Sequence, residues 1–114
     1  MKYSNYFYWN IGKKIFHLKN TCSNPNEYVS TIYSYTFGNS KLFNRENIIF
    51  MKNFYLCFPI YIERFNELSW NHFKLLLKVK NKKDRNLYLW IALFCKSSLE
   101  ELEIIINHSY FSKI

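Results

Sequence analysis

The sequence predicts an all-α fold of about six short helices in a single domain spanning residues 1–114. Apolar residues recur at spacings of three and four through most of the chain, as they do on the buried face of a helix. Serine and asparagine residues precede several of these segments, where helix N-caps are found. Of the 114 residues, 49% are hydrophobic, which suits one domain with a modest core and excludes a disordered chain.

The first predicted helix runs from Asn5 to about Lys19. Gly12 lies inside this segment, where it weakens the helix, so the sequence predicts a close packing contact at that position. A loop over residues 20–26 follows, because turn-forming residues surround a proline there. The apolar stripe that defines the helix consists of Phe7, Tyr8, Ile11, Ile15 and Leu18.

Two further helices are predicted before residue 60. One spans about 25–37, and Gly38 follows it where a left-handed C-cap residue belongs. Alternating residues at 28–37 leave a small β-hairpin open as the alternative for this segment. The next helix spans 45–58, with Asn44 as its N-cap and a proline directly after it.

Three helices are predicted in the rest of the chain. The first begins at Ser69 and continues through about residue 79, and the second follows the segment 81–84 and ends near Cys95. A capping-box spacing precedes the last helix. The two pairs that fit this spacing are Ser97 with Glu100 and Ser98 with Glu101.

The three cysteines are odd in number and far apart, which excludes a disulfide framework or a zinc site of the usual spacing. We expect them to be reduced, with Cys57 and Cys95 in the core and Cys22 as a surface thiol. The N-terminus lacks the apolar core of a signal peptide, and no segment approaches the roughly 18 apolar residues of a membrane span. The sequence therefore predicts a cytoplasmic protein that does not contact membranes.

Positive charge is concentrated in two parts of the chain. The formal net charge is +8, and a basic surface attracts polyanions. The first 26 residues contain four lysines and no acidic residue, and the stretch 74–85 contains six basic residues against Asp84 alone. An AT-rich genome would also enrich lysine, asparagine, isoleucine, tyrosine and phenylalanine, so codon bias stays open as a second explanation of this composition.

The sequence contains no arrangement of histidines or glycines that predicts a catalytic site, a metal site or a cofactor-binding site. His17, His72 and His108 fall on separate predicted helices, without partners at metal-ligand spacing. Two glycines in the whole chain leave no glycine-rich phosphate loop. His72, three residues after Ser69, is expected to have a structural role in the first turn of its helix.

Three blocks of residues follow a family pattern in order along the chain. The first is Tyr8-Trp9-Asn10-Ile11-Gly12-Lys13-Lys14-Ile15. The second is Phe43-Asn44-Arg45-Glu46-Asn47-Ile48 with Met51-Lys52-Asn53-Phe54-Tyr55 and Phe58-Pro59. The third is Leu68-Ser69-Trp70-Asn71-His72-Phe73 with Leu75-Leu76, then Arg85, Tyr88, Leu89 and Ala92, and finally Glu101-Leu102-Glu103. Together these blocks resemble the N-terminal domain of YhcG-type proteins. In that family a helix-turn-helix-like region precedes a nuclease domain of the PD-(D/E)XK superfamily.

The chain departs from the family pattern at several positions. Ile49 and Phe50 occupy positions where the family usually has arginines, and Lys52 stands where an arginine is typical. A Trp-Ser pair followed by an arginine is replaced by Ser97-Ser98 and Glu100. The resemblance ends where a nuclease domain would begin, so no metal-binding carboxylates or catalytic lysine are assigned. We therefore expect a binding module that is not an enzyme.

The first functional hypothesis is a non-catalytic module that binds DNA or RNA through a basic helical face, with the preference between the two left open. Lysines of one face would contact phosphates, and α-helical asparagine and arginine side chains would reach base edges. The alternative for lysines one turn apart is the solvated side of an amphipathic helix. The candidate residues are Lys13, Lys14, Asn44, Arg45, Asn47, Lys52, Lys74, Lys78, Lys82, Lys83 and Arg85.

The second hypothesis is a protein-interaction module that docks on, regulates or inhibits a nuclease or another nucleic-acid enzyme. Such a regulator could be encoded by a mobile element or phage. Ile49 and Phe50 would then form an apolar contact patch. The default interpretation of these two residues is that they are buried in the core. The oligomeric state is left open.

Overall fold

The computed structural model describes residues 3–108, and none of these residues lies in a β-strand. The all-α prediction is therefore confirmed, and the six helices are those expected from the sequence. They are α1 (Asn5–His17), α2 (Pro25–Phe37), α3 (Arg45–Cys57), α4 (Trp70–Leu77), α5 (Lys82–Phe94) and α6 (Leu99–Asn107). Short 3₁₀ helices occupy Leu18–Asn20 and Glu63–Glu67.

The helices form two compact units, with the boundary after Tyr61. The first unit contains α1, α2 and α3, and the second contains α4, α5 and α6. That both units belong to one folding domain stays a prediction. No helix within residues 3–108 combines the length and the apolar character that crossing a membrane requires.

The first unit is built around the contact between α1 and α3, which is the most extensive helix pair in the structure. Ile11 and Ile15 of α1 and Met51 of α3 are buried in this contact. Gly12 lies against the backbone of α3, because a Cβ atom there would overlap the carbonyl oxygen of Met51. The close packing contact predicted from Gly12 is thus confirmed.

A buried hydrogen bond closes the first unit at the end of α3. The indole N–H of Trp9 donates to the carbonyl oxygen of Phe58, with an Nε1 to O distance of 2.8 Å. Phe58 is the C-cap residue of α3, and its side chain is buried together with that of Phe54. This bond satisfies both an indole donor and a backbone acceptor that burial would otherwise leave unpaired.

Helix α2 occupies the segment for which a β-hairpin was left open as the alternative, so the predicted helix is confirmed and the alternative does not hold. The Asn24 side chain accepts a hydrogen bond from the Glu27 backbone N–H at 3.3 Å, and Pro25 occupies the first helical position. Gly38 ends the helix in the left-handed conformation, with φ at 63°. These start and stop signals at both ends outweigh the weak alternation within the segment.

The second unit packs α4 against α5 and α6, with the 3₁₀ helix Glu63–Glu67 against α5. The capping box of α6 uses Ser98 and Glu101. The Ser98 side chain accepts from the Glu101 N–H at 3.1 Å, and a Glu101 carboxylate oxygen accepts from the Ser98 N–H at 3.0 Å. The hydrogen bond with the Ser98 backbone lowers the pKa of the Glu101 carboxyl most, and the hydrogen bond with the Ser98 side chain lowers it further. Buried side chains of this unit include Phe65, Phe73, Leu76, Leu89, Leu93 and Leu102.

His72 joins the start of α4 to the segment that precedes α6. Its Nδ1 atom accepts a hydrogen bond from the Ser69 backbone N–H at 3.2 Å and completes a capping box. The proton of the neutral ring must then lie on Nε2, which donates to the carbonyl oxygen of Ser97 at 3.0 Å. The structural role predicted for His72 is confirmed.

The cysteines are less buried than the sequence suggested. Cys95 is exposed at the end of α5, and Cys57 is half-buried at the end of α3, so their prediction as core residues is wrong. Cys57 is the last residue of α3 and Cys95 is the C-cap residue of α5, so both lie where their helices end. Cys22 is half-buried, and all three cysteines are free thiols.

Candidate nucleic-acid interface

The outer face of α1 carries a group of basic side chains. Asn10, Lys13, Lys14 and His17 recur at spacings of three, one and three, which places them on one side of the helix. Together with Leu18 they line an open depression of about 410 Å³. We call Asn10, Lys13, Lys14 and His17 the α1 basic surface.

Contacts with aromatic rings help to position the two lysines of this surface. The Lys14 ammonium donates to the Tyr33 hydroxyl of α2, with an Nζ to Oη distance of 3.5 Å. The Lys13 Nζ atom lies 5.6 Å from the centroid of the Trp9 ring, within the range of a cation–π interaction. Since no acidic residue occurs before Glu27, no carboxylate of α1 neutralises these charges.

Two of the four residues of α3 and its cap that were predicted to contact bases have structural roles instead. The Asn44 side chain accepts from the Asn47 backbone N–H at 2.9 Å as the N-cap. The Asn47 amide donates to the Lys41 carbonyl oxygen at 3.1 Å. Arg45 is exposed and Lys52 is half-buried. Both asparagines therefore hold the start of α3, and Arg45 is the exposed cation at this end of the helix.

The connection between α4 and α5 carries the second group of cations. Residues 78–81 join the two helices, and this four-residue connection has the length found in helix-turn-helix motifs. Lys78, Lys82 and Lys83 are exposed, whereas Lys74, one turn before Lys78, is half-buried. Lys80 is also exposed in this connection. We call Lys78, Lys80, Lys82 and Lys83 the α4–α5 basic surface.

Lys80 was missing from the candidate residues chosen from the sequence. The lysines at 78, 80 and 82 alternate with Val79 and Asn81, a pattern that fits neither a helix nor its buried stripe. That alternation was the available signal that residue 80 lies in a connection and projects into solvent. The α1 and α4–α5 basic surfaces belong to different compact units.

Arg85 is a structural residue, and its prediction as a nucleic-acid contact is not supported by its position. The residue is only 8% exposed, and its Nη1 atom donates to the Val79 carbonyl oxygen at 3.0 Å. This bond ties the first turn of α5 to the preceding connection. Arg85 lies three and four residues before the buried Tyr88 and Leu89, which places it on the inner face of α5.

Ile49 is exposed, which contradicts the default expectation that it lies in the core. Its exposed fraction is 41%, and Leu56, seven residues later on the same face of α3, is 45% exposed. Phe50 is half-buried. The inner face of α3 is instead formed by Ile48, Met51 and Phe54, so the apolar pair Ile49 and Leu56 remains on the surface.

Comparison with known proteins identifies the family to which this chain belongs. The model of the family described as DUF1016 N-terminal domain matches residues 3–113, which is nearly the whole chain. No curated protein and no solved structure matches the sequence. The match confirms the resemblance carried by the three sequence blocks. The chain therefore belongs to the family of DUF1016 N-terminal domains, the N-terminal domain of YhcG-like proteins.

Proposed function

We propose that this chain is a non-catalytic nucleic-acid-binding module of the cytoplasm that contacts the phosphate backbone through basic helical surfaces. The observation that supports this proposal best is the α4–α5 basic surface. Four exposed lysines lie within six residues there, and Asp84 is the one acidic residue between Lys74 and Arg85. Phosphate contacts of this kind supply most of the sequence-independent affinity of such proteins.

The position of Lys82 and Lys83 strengthens the argument. Both lie in the first turn of α5, where the helix dipole disfavours positive charge by about 0.3–1 kcal/mol per residue. The backbone N–H groups of a helix N-terminus also favour anions. Two lysines at this end therefore add to a positive potential that a bound phosphate would relieve.

Charge reversal with a matched control tests the proposal. Fluorescence anisotropy would measure the affinity of Lys82→Glu and of Lys41→Glu for labelled duplex DNA, single-stranded DNA and RNA at one low salt concentration. Both lysines are exposed, and both substitutions change the net charge equally. We expect a substantial loss of affinity for Lys82→Glu and a small one for Lys41→Glu. Equal losses would mean that only net charge matters and would contradict a localised interface.

A second candidate function is docking on a protein, such as a nuclease that the chain would regulate or inhibit. The exposed pair Ile49 and Leu56 on α3 favours it, because both side chains are apolar and Ile49 stands where the family usually has an arginine. The Ile49→Asp variant should abolish co-elution with a YhcG-type nuclease while the helical content stays unchanged. Asn53→Asp, on the same exposed face, is the matched control. Co-elution that survives in Ile49→Asp would eliminate this candidate.

A further inference from the structure

The outer face of α5 is apolar and aromatic although it is exposed. Leu87 is 38% exposed, Trp90 is 42% exposed and Phe94 is 68% exposed. Lys83, Leu87, Trp90 and Phe94 are separated by four, three and four residues, so they form one stripe along the helix. The opposite face of α5 supplies the buried residues Arg85, Tyr88, Leu89, Ala92 and Leu93. The exposed stripe is therefore not needed to build the core of this unit.

The two aromatic side chains of this stripe are already stacked on each other. Their ring centroids are 5.4 Å apart and the planes are inclined by 28°. The guanidinium carbon of Arg64 lies 4.9 Å from the Phe94 centroid, and the Arg64 Nε donates to a Glu67 carboxylate oxygen at 3.2 Å. These contacts hold Phe94 from one side, and the exposed parts of both rings remain accessible to another flat group.

Charge is distributed unevenly along the stripe. Its N-terminal end carries two adjacent exposed lysines, Lys82 and Lys83. At the Phe94 end the charges of Arg64 and Glu67 offset each other, and the exposed Lys96 follows Phe94 by two residues. From Lys83 to Phe94 the helix rises by about 16 Å. A ligand that follows this face thus meets paired lysines at one end and a mainly aromatic surface at the other.

Single-stranded nucleic acid has the chemistry that matches both ends of this face. Its phosphates pair with lysines, and its unpaired bases stack on aromatic side chains, in a way that tolerates any sequence. The bases of a duplex are already stacked and paired, so they cannot use the aromatic end. An apolar protein segment would use the rings but would gain nothing from the lysines at the other end.

We propose that the outer face of α5 is a platform for single-stranded nucleic acid, on which bases stack against Trp90 and Phe94 while the adjoining phosphates contact Lys82 and Lys83. This proposal rests on the proposed function, because it assigns the strand type and the base contacts to the same basic surface. It adds a preference for single strands that lysines alone would not produce.

The test compares a single-stranded oligonucleotide of about ten nucleotides, within the usual range of site sizes, with the duplex of the same sequence. Fluorescence anisotropy would be measured for the wild type, Trp90→Ala, Phe94→Ala and the conservative Trp90→Phe. Each alanine variant should weaken single-strand binding at least about fivefold, the lower limit for loss of one stacked base. Trp90→Phe should retain most of the affinity, and duplex affinity should not change.

Two control variants and a check of folding separate the stacking role from other effects. Tyr35→Ala removes an aromatic side chain that is 90% exposed on α2 and should leave all affinities unchanged. Circular dichroism checks that each variant is folded. Phe94→Ser takes the place of Phe94→Ala if that variant does not fold. Lys82→Glu should weaken single-strand and duplex binding alike, because it removes a phosphate contact that both forms share.

Three results would overturn the platform. One is unchanged single-strand affinity in folded Trp90→Ala and Phe94→Ala variants while Lys82→Glu still weakens binding, which leaves the proposed function intact. Another is a loss of affinity in the two alanine variants that is equal for single strands and for the duplex. The third is a wild-type dimer that these variants convert to a monomer in light scattering without a change in nucleic-acid affinity, which would assign the face to contact between copies. Absence of any binding by the wild type would instead refute the proposed function itself.

Discussion

Replacing Gly12 by alanine should destabilise the first unit, although alanine is the better helix former. A Cβ atom at this position would overlap the Met51 carbonyl oxygen and lie 2.7 Å from its carbonyl carbon and 3.2 Å from the Cα atom of Lys52. All three are backbone atoms, so relief requires α1 and α3 to separate. The substitution gains up to about 1 kcal/mol in helix propensity. Overpacking at the upper end of its usual range costs about 3 kcal/mol, which leaves a net loss of about 2 kcal/mol.

Thermal unfolding followed by far-UV circular dichroism measures this effect. A loss of about 2 kcal/mol should lower Tm by roughly 8 °C, because the unfolding entropy of 114 residues is about 0.24 kcal/mol/K. Lys13→Ala, one position further along the exposed side of α1, is the control and should change Tm little. A Gly12→Ala variant as stable as the wild type would refute the close approach of α1 to the α3 backbone.

Of three further predictions, two concern hydrogen bonds and one concerns the half-buried phenol of Tyr61. His72→Ala should cost about 1–3 kcal/mol in chemical denaturation, because the Ser69 backbone N–H loses its side-chain acceptor and the Ser97 carbonyl oxygen loses its donor. His72→Gln should recover part of the loss, since glutamine also serves in capping boxes. A His72→Ala variant as stable as the wild type would contradict the bridging role. Trp9→Phe should cost about 1–3 kcal/mol by the same measurement, because the buried carbonyl of Phe58 loses its donor; an unchanged midpoint would show that this bond contributes nothing. Burial raises the pKa of Tyr61 from 10.0 to about 12, so its contribution to stability is complete below pH 10 and is lost as the pH rises toward 12; the wild type should lose more stability than Tyr61→Phe across this window, and equal losses would place the phenol in solvent.

The helices could be predicted from the sequence because each carries local start and stop signals. Asn44 and Ser69 precede their helices as N-caps, and Gly38 follows α2 as the C-cap, as predicted. The 3₁₀ helix Glu63–Glu67 was missed, because five residues are too short to show a helical apolar period.

The choice of cap for α6 depended on tertiary structure. Ser97 and Ser98 both have an acidic residue three positions later, so local spacing could not separate them. In the structure Ser97 is 7% exposed, and its carbonyl oxygen accepts the hydrogen bond from His72. Ser98 is left with the extended backbone that an N-cap requires. The hydrogen bond that leaves Ser98 as the cap joins His72 and Ser97, which are 25 positions apart in the sequence.

The candidate interface was only partly predictable. The lysines of the α4–α5 connection are exposed, because four residues are too few to bury such side chains between two helices. Arg85 was grouped with them by charge, although its spacing from Tyr88 and Leu89 places it on the buried face. Trp90 and Phe94 were overlooked, because aromatic residues in a helix are expected in the core more often than on its outer side.

The central claim, that the α4–α5 basic surface binds phosphates, is tested most directly by the salt dependence of nucleic-acid affinity. The slope of log K against log salt concentration would be compared between the wild type and the variant carrying Lys82→Glu and Lys83→Glu. The slope of the wild type should indicate several neutralised phosphates, and that of the variant should be smaller by about one for each phosphate that a replaced lysine no longer neutralises. An affinity that is insensitive to salt, or a slope that is the same in both proteins, would contradict the account.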